Sequence, residues 1–213
     1  MASSHEQGSE GWLADRCGRA TASRIADIMA KTKSGPGASR ETYAAQLIAE
    51  RLTGCIAASF TNAAMAHGTE TEPEARRAYE FLVDCDVEQV GFTPHPTIEM
   101  AGASPDGLVG SSGLVEIKCP QSSTHIDTLL MENVPSKYMK QMQFQMACTD
   151  RDWCDFASYD NRLPERMRLF VKRVPRDEVM IVAIEDEVKA FLVEIDAKVA
   201  QLTATYELQK EAA

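Results

Sequence analysis

Between Val87 and Cys119 the chain carries three short apolar runs bounded by turn residues, Val87 to Phe92, Ile98 to Ala101 and Leu114 to Cys119. Runs of that length and composition are strands. On either side the apolar spacing is helical. A chain that opens with helices, passes through strands and then returns to a helix buries a sheet beneath helices, which is an α/β or α+β domain.

The flanking segments fill in this frame. A helix is expected from roughly Thr21 to Ala30, with Ile25, Ile28 and Met29 on one face and Thr21 or Ser23 at its start. The loop Ser34-Gly-Pro-Gly-Ala-Ser39 leads to a second helix, Arg40 to Leu52, ending at Gly54. A third covers Gly68 to Leu82, with Ala75, Ala78, Tyr79 and Leu82 inward. Tyr138 to Ala147 is helical again. Trp153 to Tyr159 and Arg166 to Val174 form an antiparallel pair around Asp160-Asn161, and Val179 to Ile184 is a further strand. The last 28 or so residues form a long helix with Val188, Phe191, Leu192, Ile195, Val199 and Leu202 in one stripe. There is no internal repeat or linker, so residues 11–213 are expected to be one domain and the polar residues 1–10 to be disordered.

Composition excludes several classes. The 213 residues are 44% hydrophobic and 25% charged, ordinary for a globular domain. Neither a membrane span nor a signal peptide is visible, and the expected compartment is the cytoplasm. The six cysteines have no paired spacing, which argues for reduced buried thiols over zinc or disulfides. A formal net charge of −10 argues against a generally basic nucleic-acid binder. The charge is nevertheless polarised. Residues 16–40 carry Arg16, Arg19, Arg24, Lys31, Lys33 and Arg40 against Asp27, while 177–213 carry nine acids against three lysines.

The chemistry concentrates in Ser104-Pro105-Asp106-Gly107 and Glu116-Ile117-Lys118. Asp106 falls at a strand end, where a turn is expected. Glu116 and Lys118 lie two apart on the next strand and share a face, while Ile117 points into the core. A hairpin of this spacing gathers two carboxylates and an ammonium. Hard Mg²⁺ or Mn²⁺ takes such oxygen ligands, polarises a phosphate and activates bound water. Asp106, Glu116 and the Ile117 carbonyl would be ligands and Lys118 the catalytic cation. Pro-Asp-Gly is also an ordinary turn, and Glu-x-Lys an ordinary exposed pair. The surroundings give the motif its weight.

Those surroundings are Ser104 to Leu108, Gly113 to Pro120, Tyr138-Met-Lys-Gln141-Met-Gln143-Phe-Gln145-Met, and an aromatic strand ending in Tyr159-Asp160. Upstream stand Gly68-x-x-x-Glu72-x-x-Ala75-Arg76 and Trp12-x-x-x-Arg16-x-Gly18-x-x-Thr21-Ala22-Ser23. In this order, over roughly residues 11 to 175, the blocks resemble the lambda-exonuclease-like, YqaJ-type viral recombinase nucleases of the PD-(D/E)XK superfamily.

The resemblance implies a central mixed sheet flanked by helices. It implies Asp106, Glu116 and Lys118 as the catalytic set, with Glu72 completing the site by metal contact or by positioning, and Gln141 near the attacking water. By spacing alone, Glu72 also makes an i,i+4 pair with Arg76, and Gln143 and Gln145 are expected on other faces of their helix. The resemblance further implies a 5′-phosphate pocket from Arg16 and Ser23 with Thr21 and Ser104, and a strand-separating wedge at Met65, a residue equally suited to a core. His67 departs from the family pattern, and His95 and His125 match nothing in it. The implied protein is a homotrimeric ring using two Mg²⁺ ions, replaceable by Mn²⁺. It digests one strand of duplex DNA 5′ to 3′ and leaves a 3′ tail for a single-strand-annealing recombinase, in a phage- or prophage-carrying bacterium. An endonuclease on the same core, or a non-catalytic DNA-binding module, are the alternatives.

Overall fold

The computed structural model describes residues 2–33, 35–56 and 63–211, with side chains described except at 63–65 and 207–211. In chain order the helices are α1 Glu10–Arg16, α2 Ile25–Ile28, α3 Ala38–Thr53, α4 Ala63–Val83, α5 Ser122–Met131, α6 Ser136–Thr149 and α7 Glu178–Glu211. The strands are β1 Ala20–Thr21, β2 Lys31–Thr32, β3 Gly35–Pro36, β4 Val87–Glu88, β5 Thr93–Pro94, β6 Ala101–Ala103, β7 Gly107–Val109, β8 Gly113–Lys118, β9 Trp153–Tyr159 and β10 Leu169–Pro175.

The main sheet has the order β10-β9-β8-β7-β4 and is mixed, with β8 and β9 parallel and the other pairs antiparallel. One face packs Val115, Ile117, Ala157 and Tyr159 against Ala75 and Tyr79 of α4. The other packs Leu114, Cys154 and Phe156 against Met142 and Met146 of α6. Alternation along β8 therefore sends Val115 and Ile117 to α4, and Leu114, Glu116 and Lys118 to the side of α6. A smaller sheet, β1-β6-β5, closes a third cluster beneath α2, α3 and α7.

The hairpin is real, but its turn is not where the sequence suggested. Asp106 precedes a strand, β7, and the reversal falls at 110–112, where Gly110 takes φ +54°. Gly107 is required for packing: a Cβ there would meet Val87 Cγ1 of β4 at 2.0 Å. The register pairs Gly107 with Val115, so one step further Asp106 falls opposite Glu116.

Val179 to Ile184, expected as a strand, is the first part of α7. Its β-branched composition favours strands, but Ile181, Ile184, Val188, Phe191 and Ile195 recur at helical spacing and are buried. Asp177 Oδ1 accepts the Met180 amide at 3.0 Å and starts the helix. Leu82, expected inward, is exposed like its neighbour Phe81. Residues 2–9, expected to be disordered, lie against the sheet edge. Ser3 donates its amide to Phe92 O at 2.7 Å, and Gln7 Nε2 donates to Val90 O at 2.9 Å and Pro105 O at 2.8 Å. Buried carbonyls that need donors give this polar segment a fixed place.

Part of the polarised charge is paired across the fold, mostly near the surface. Lys31 pairs with Glu187, Arg51 with Asp196, and Arg40 makes a two-pronged contact with Glu194 at 2.8 Å each, joining α3 to α7. Among the described residues no helix is long and apolar enough to cross a membrane.

Candidate active site

The end of β8 and the loop before β7 bring the predicted catalytic residues together. The Ile117 amide donates to Asp106 Oδ2 at 2.7 Å, fixing that carboxylate beside β8. Glu116 is fully buried. Its Oε1 accepts Lys118 Nζ and, at 2.5 Å, Gln141 Nε2. Its Oε2 accepts Gln145 Nε2 at 2.6 Å. Lys118 also lies 5.6 Å from the centre of the Tyr138 ring. Glu72 accepts Arg76 Nη2 at 2.5 Å, so the pair suggested by spacing does form. Glu72 is still near enough to act on Asp106 electrostatically.

Crowded like charges set the electrostatics. Burial, then Glu116 and Glu72, push the Asp106 carboxyl well above its ordinary value against the pull of Lys118. Burial works against the Lys118 ammonium, yet Glu116 and Asp106 outweigh it and hold that pKa above its usual value. The neighbouring Cys119 thiol is pushed up to about 12, chiefly by burial and then by Glu72 and Asp106, so it stays protonated.

The donors here are oxygen atoms. Among the described residues, no three His, Cys, Asp or Glu side chains converge to cage an ion. Carboxylate oxygens suit a hard cation that keeps several waters better than they suit zinc.

A second feature lies at the N-terminal side. A cleft of about 330 Å³ is lined by Trp12, Arg16, Thr21, Ser23, Arg24 and Tyr43, among others. Thr21 ends β1 and precedes a 3-10 turn, Ala22–Arg24, which its side chain does not cap; its Oγ1 lies 3.4 Å from Ser23 Oγ. Arg24 is taken by Asp27 at 2.6 Å. Arg16 makes no ion pair among the described residues; it stacks on Trp12 at 4.2 Å. Burial pulls its pKa down, with Tyr43 and Glu50 opposing. Ser104 Oγ accepts both Trp12 Nε1 at 2.9 Å and Arg16 Nη1 at 3.3 Å. Ser104 is two residues from Asp106, so one short loop links the cleft to the carboxylates.

Two expectations need correction or stand outside these observations. Gln145, expected on another face of α6, shares the face of Gln141, because positions four apart are neighbours on a helix. That spacing was visible in the sequence. Gln143 does lie elsewhere, donating to Pro175 O at 2.9 Å and accepting the Asp177 amide. Met65 lies outside the described side chains. His125 is a buried structural link, its ring nitrogens at 2.7 Å from Ser158 Oγ and 2.8 Å from Met167 O.

Comparison with known proteins finds the same family and the same fold. A family model described as the YqaJ-like viral recombinase domain matches residues 11–152. An alkaline exonuclease (LHK-Exo) from Laribacter hongkongensis is 50% identical, with TM-score 0.88, over 94% of this chain and 100% of that one. LHK-Exo in complex with dAMP matches over the same shares at 50% identity, with TM-score 0.89. A phage-related exonuclease from Haemophilus somnus 129PT shares the fold, with 16% identity and TM-score 0.71 over 86% of this chain and 96% of that one. No curated protein matches.

Proposed function

The chain belongs to the YqaJ-like viral recombinase family, and from that premise we propose that it is a metal-dependent exonuclease digesting one strand of linear duplex DNA from 5′ to 3′. The observation that carries the proposal is the convergence of Asp106, Glu116 and Lys118, joined through Ser104 to a cleft whose Arg16 has no acidic partner among the described residues. The likeness to an alkaline exonuclease over nearly the whole chain supports the nuclease class.

Asp106, Glu116 and the Ile117 carbonyl would hold Mg²⁺, with two ions in the working enzyme and Mn²⁺ able to replace them. When bound, Mg²⁺ supplies charge neutralisation at the phosphate and an acidified water. Lys118 offers Nζ donors to the attacking water and to charge building on the phosphate oxygens. Gln141, half-buried at the same opening, orients that water, and Glu72 completes the rim. Arg16, with Ser23, Thr21 and Ser104, takes the terminal 5′-phosphate. A guanidinium fork and hydroxyls suit a phosphate dianion. The terminal nucleotide is thereby held in register with the carboxylates, and the product is a mononucleotide.

Met65 is proposed as the wedge that parts the strands. The working form is proposed to be a homotrimeric ring around the DNA. The remaining 3′ tail would pass to a single-strand-annealing recombinase in the cytoplasm of a bacterium carrying the gene on a phage or prophage. One experiment tests the central reaction: Mg²⁺-dependent digestion of a linear duplex labelled at its 5′ or 3′ ends, beside a covalently closed circle. Mononucleotides released from 5′ ends, with the circle untouched, support the reading. Nicking of the circle would replace it with an endonuclease on the same catalytic set.

A further inference from the structure

We propose that Gln145 is a positioning residue for the reaction: it holds Glu116 Oε2 in the core, so that Oε1 is the oxygen presented to the site beside Lys118 and Gln141. The inference rests on the reading of Glu116 as a catalytic carboxylate. Gln141 and Gln145 lie one turn apart on α6, and each gives its Nε2 to a different oxygen of Glu116, at 2.5 and 2.6 Å. Their exposures differ. Gln141 reaches the opening, while Gln145 is 1% exposed and cannot touch DNA. One glutamine therefore serves the open side of the carboxylate and the other its back.

The chemistry of Gln145 argues against a packing role. Its neighbours on the helix, Met142 and Met146, fill the apolar cluster with Leu114 and Phe156. A methionine at 145 would fill a similar volume beside them but leave Glu116 Oε2 without its donor. Instead the protein keeps an amide whose Oε1 is buried and has no partner among the described residues. A buried acceptor left unsatisfied is costly and uncommon in native structures. Turning the amide over would set that oxygen against Glu116 Oε2, acceptor to acceptor. Glu116 thus fixes the orientation of Gln145, and Gln145 fixes the rotation of Glu116. A fixed carboxylate presents one oxygen in one direction, which a hard cation requires.

The test is Gln145→Met, which is similar in size and lacks the donor. Mn²⁺ binding to the DNA-free protein is measured by calorimetry, alongside steady-state cutting and thermal melting. Loss of an orienting hydrogen bond predicts Mn²⁺ affinity and kcat each reduced about ten- to hundredfold. KM for duplex DNA is expected to stay unchanged, since the variant removes no DNA contact; the melting curve serves to show that the variant is folded, at a temperature lowered by the donor that Glu116 Oε2 loses. Affinity and kcat within about twofold of the unsubstituted protein, well short of that range, overturn the inference.

Glu116→Gln, run in parallel, separates the two levels. If Glu116→Gln loses Mn²⁺ binding and cutting while Gln145→Met loses neither, the positioning role alone falls. If Glu116→Gln also loses neither, the active-site reading falls with it. Should Gln145→Met fail to fold, Gln145→Asn, whose amide stops one methylene short of Glu116, is read by the same measurements. In the unsubstituted protein the bond also predicts a downfield, slowly exchanging side-chain amide proton on Gln145 by NMR. Its absence contradicts the inference without any substitution.

Discussion

The backbone amide of Ile117 donates to Asp106 Oδ2 at 2.7 Å, so the main chain of one strand holds the carboxylate that precedes its neighbour. Because β7 and β8 are antiparallel, that bond sets Asp106 across from Glu116. The two acids and Lys118 lie on one hairpin and the loop that enters it, and α6 brings the glutamines to it.

Arg16 and Arg19 both line the cleft without an acidic partner among the described residues, but Arg19 is turned to the Glu99 carbonyl, while Arg16 meets Ser104 of the Asp106 loop. Charge-assisted hydrogen bonds of this kind contribute about 1.5–3 kcal/mol. Arg16→Ala is expected to reduce the preference for 5′-phosphorylated over 5′-hydroxyl ends by about ten- to hundredfold, the same energy converted. Competition between the two duplexes measures it. A preference that survives intact removes Arg16 from the phosphate pocket.

Gln7 bridges the Val90 and Pro105 carbonyls and so straps the loop that carries Asp106. Gln7→Ala leaves both acceptors without that donor, a cost of about 1–3 kcal/mol. Melting is expected to fall by about 2–12 °C for a domain of this size, with kcat reduced as the Asp106 loop loosens. An unchanged melting curve would mean that the N-terminal segment merely rests on the surface.

Asp160 is buried beside Arg162. Burial works against its charge, but hydrogen bonds from Arg162 and Ser122 prevail and hold its pKa at about 2. The unfolded value is about 3.9. A depressed carboxylate contributes stability that is complete above the unfolded value and is lost as pH falls through the folded one. Asp160→Asn is therefore expected to flatten the dependence of melting temperature on pH between about 4 and 2. An identical acid limb in both proteins would contradict the assignment.

Legibility in the sequence followed the range of the interactions. β8, β9, α3 and α6 are strongly periodic and were readable within a few residues. That Asp106, Glu116 and Lys118 come together was readable because one hairpin carries them all. The Val179 to Ile184 segment misled because its β-branched residues favour a strand locally, whereas burial of Ile181 and Ile184 with the rest of the α7 stripe favours a helix. Tertiary packing outweighs propensity there. The strap at Gln7 was invisible, since nothing in a polar N-terminus announces two carbonyls 83 and 98 positions away. Gln145 is different: its spacing from Gln141 already put both on one face of α6.

The most direct test of the account is mononucleotide release from a 5′-labelled linear duplex in Mg²⁺ by the unsubstituted protein and by Lys118→Ala, under single-turnover conditions with DNA binding measured separately. Removing a group that orients water and offsets charge predicts a loss of about a hundred- to ten-thousandfold in rate, with DNA binding retained. Release by Lys118→Ala at the unsubstituted rate would remove Lys118 from the mechanism and contradict the active site built on Asp106 and Glu116.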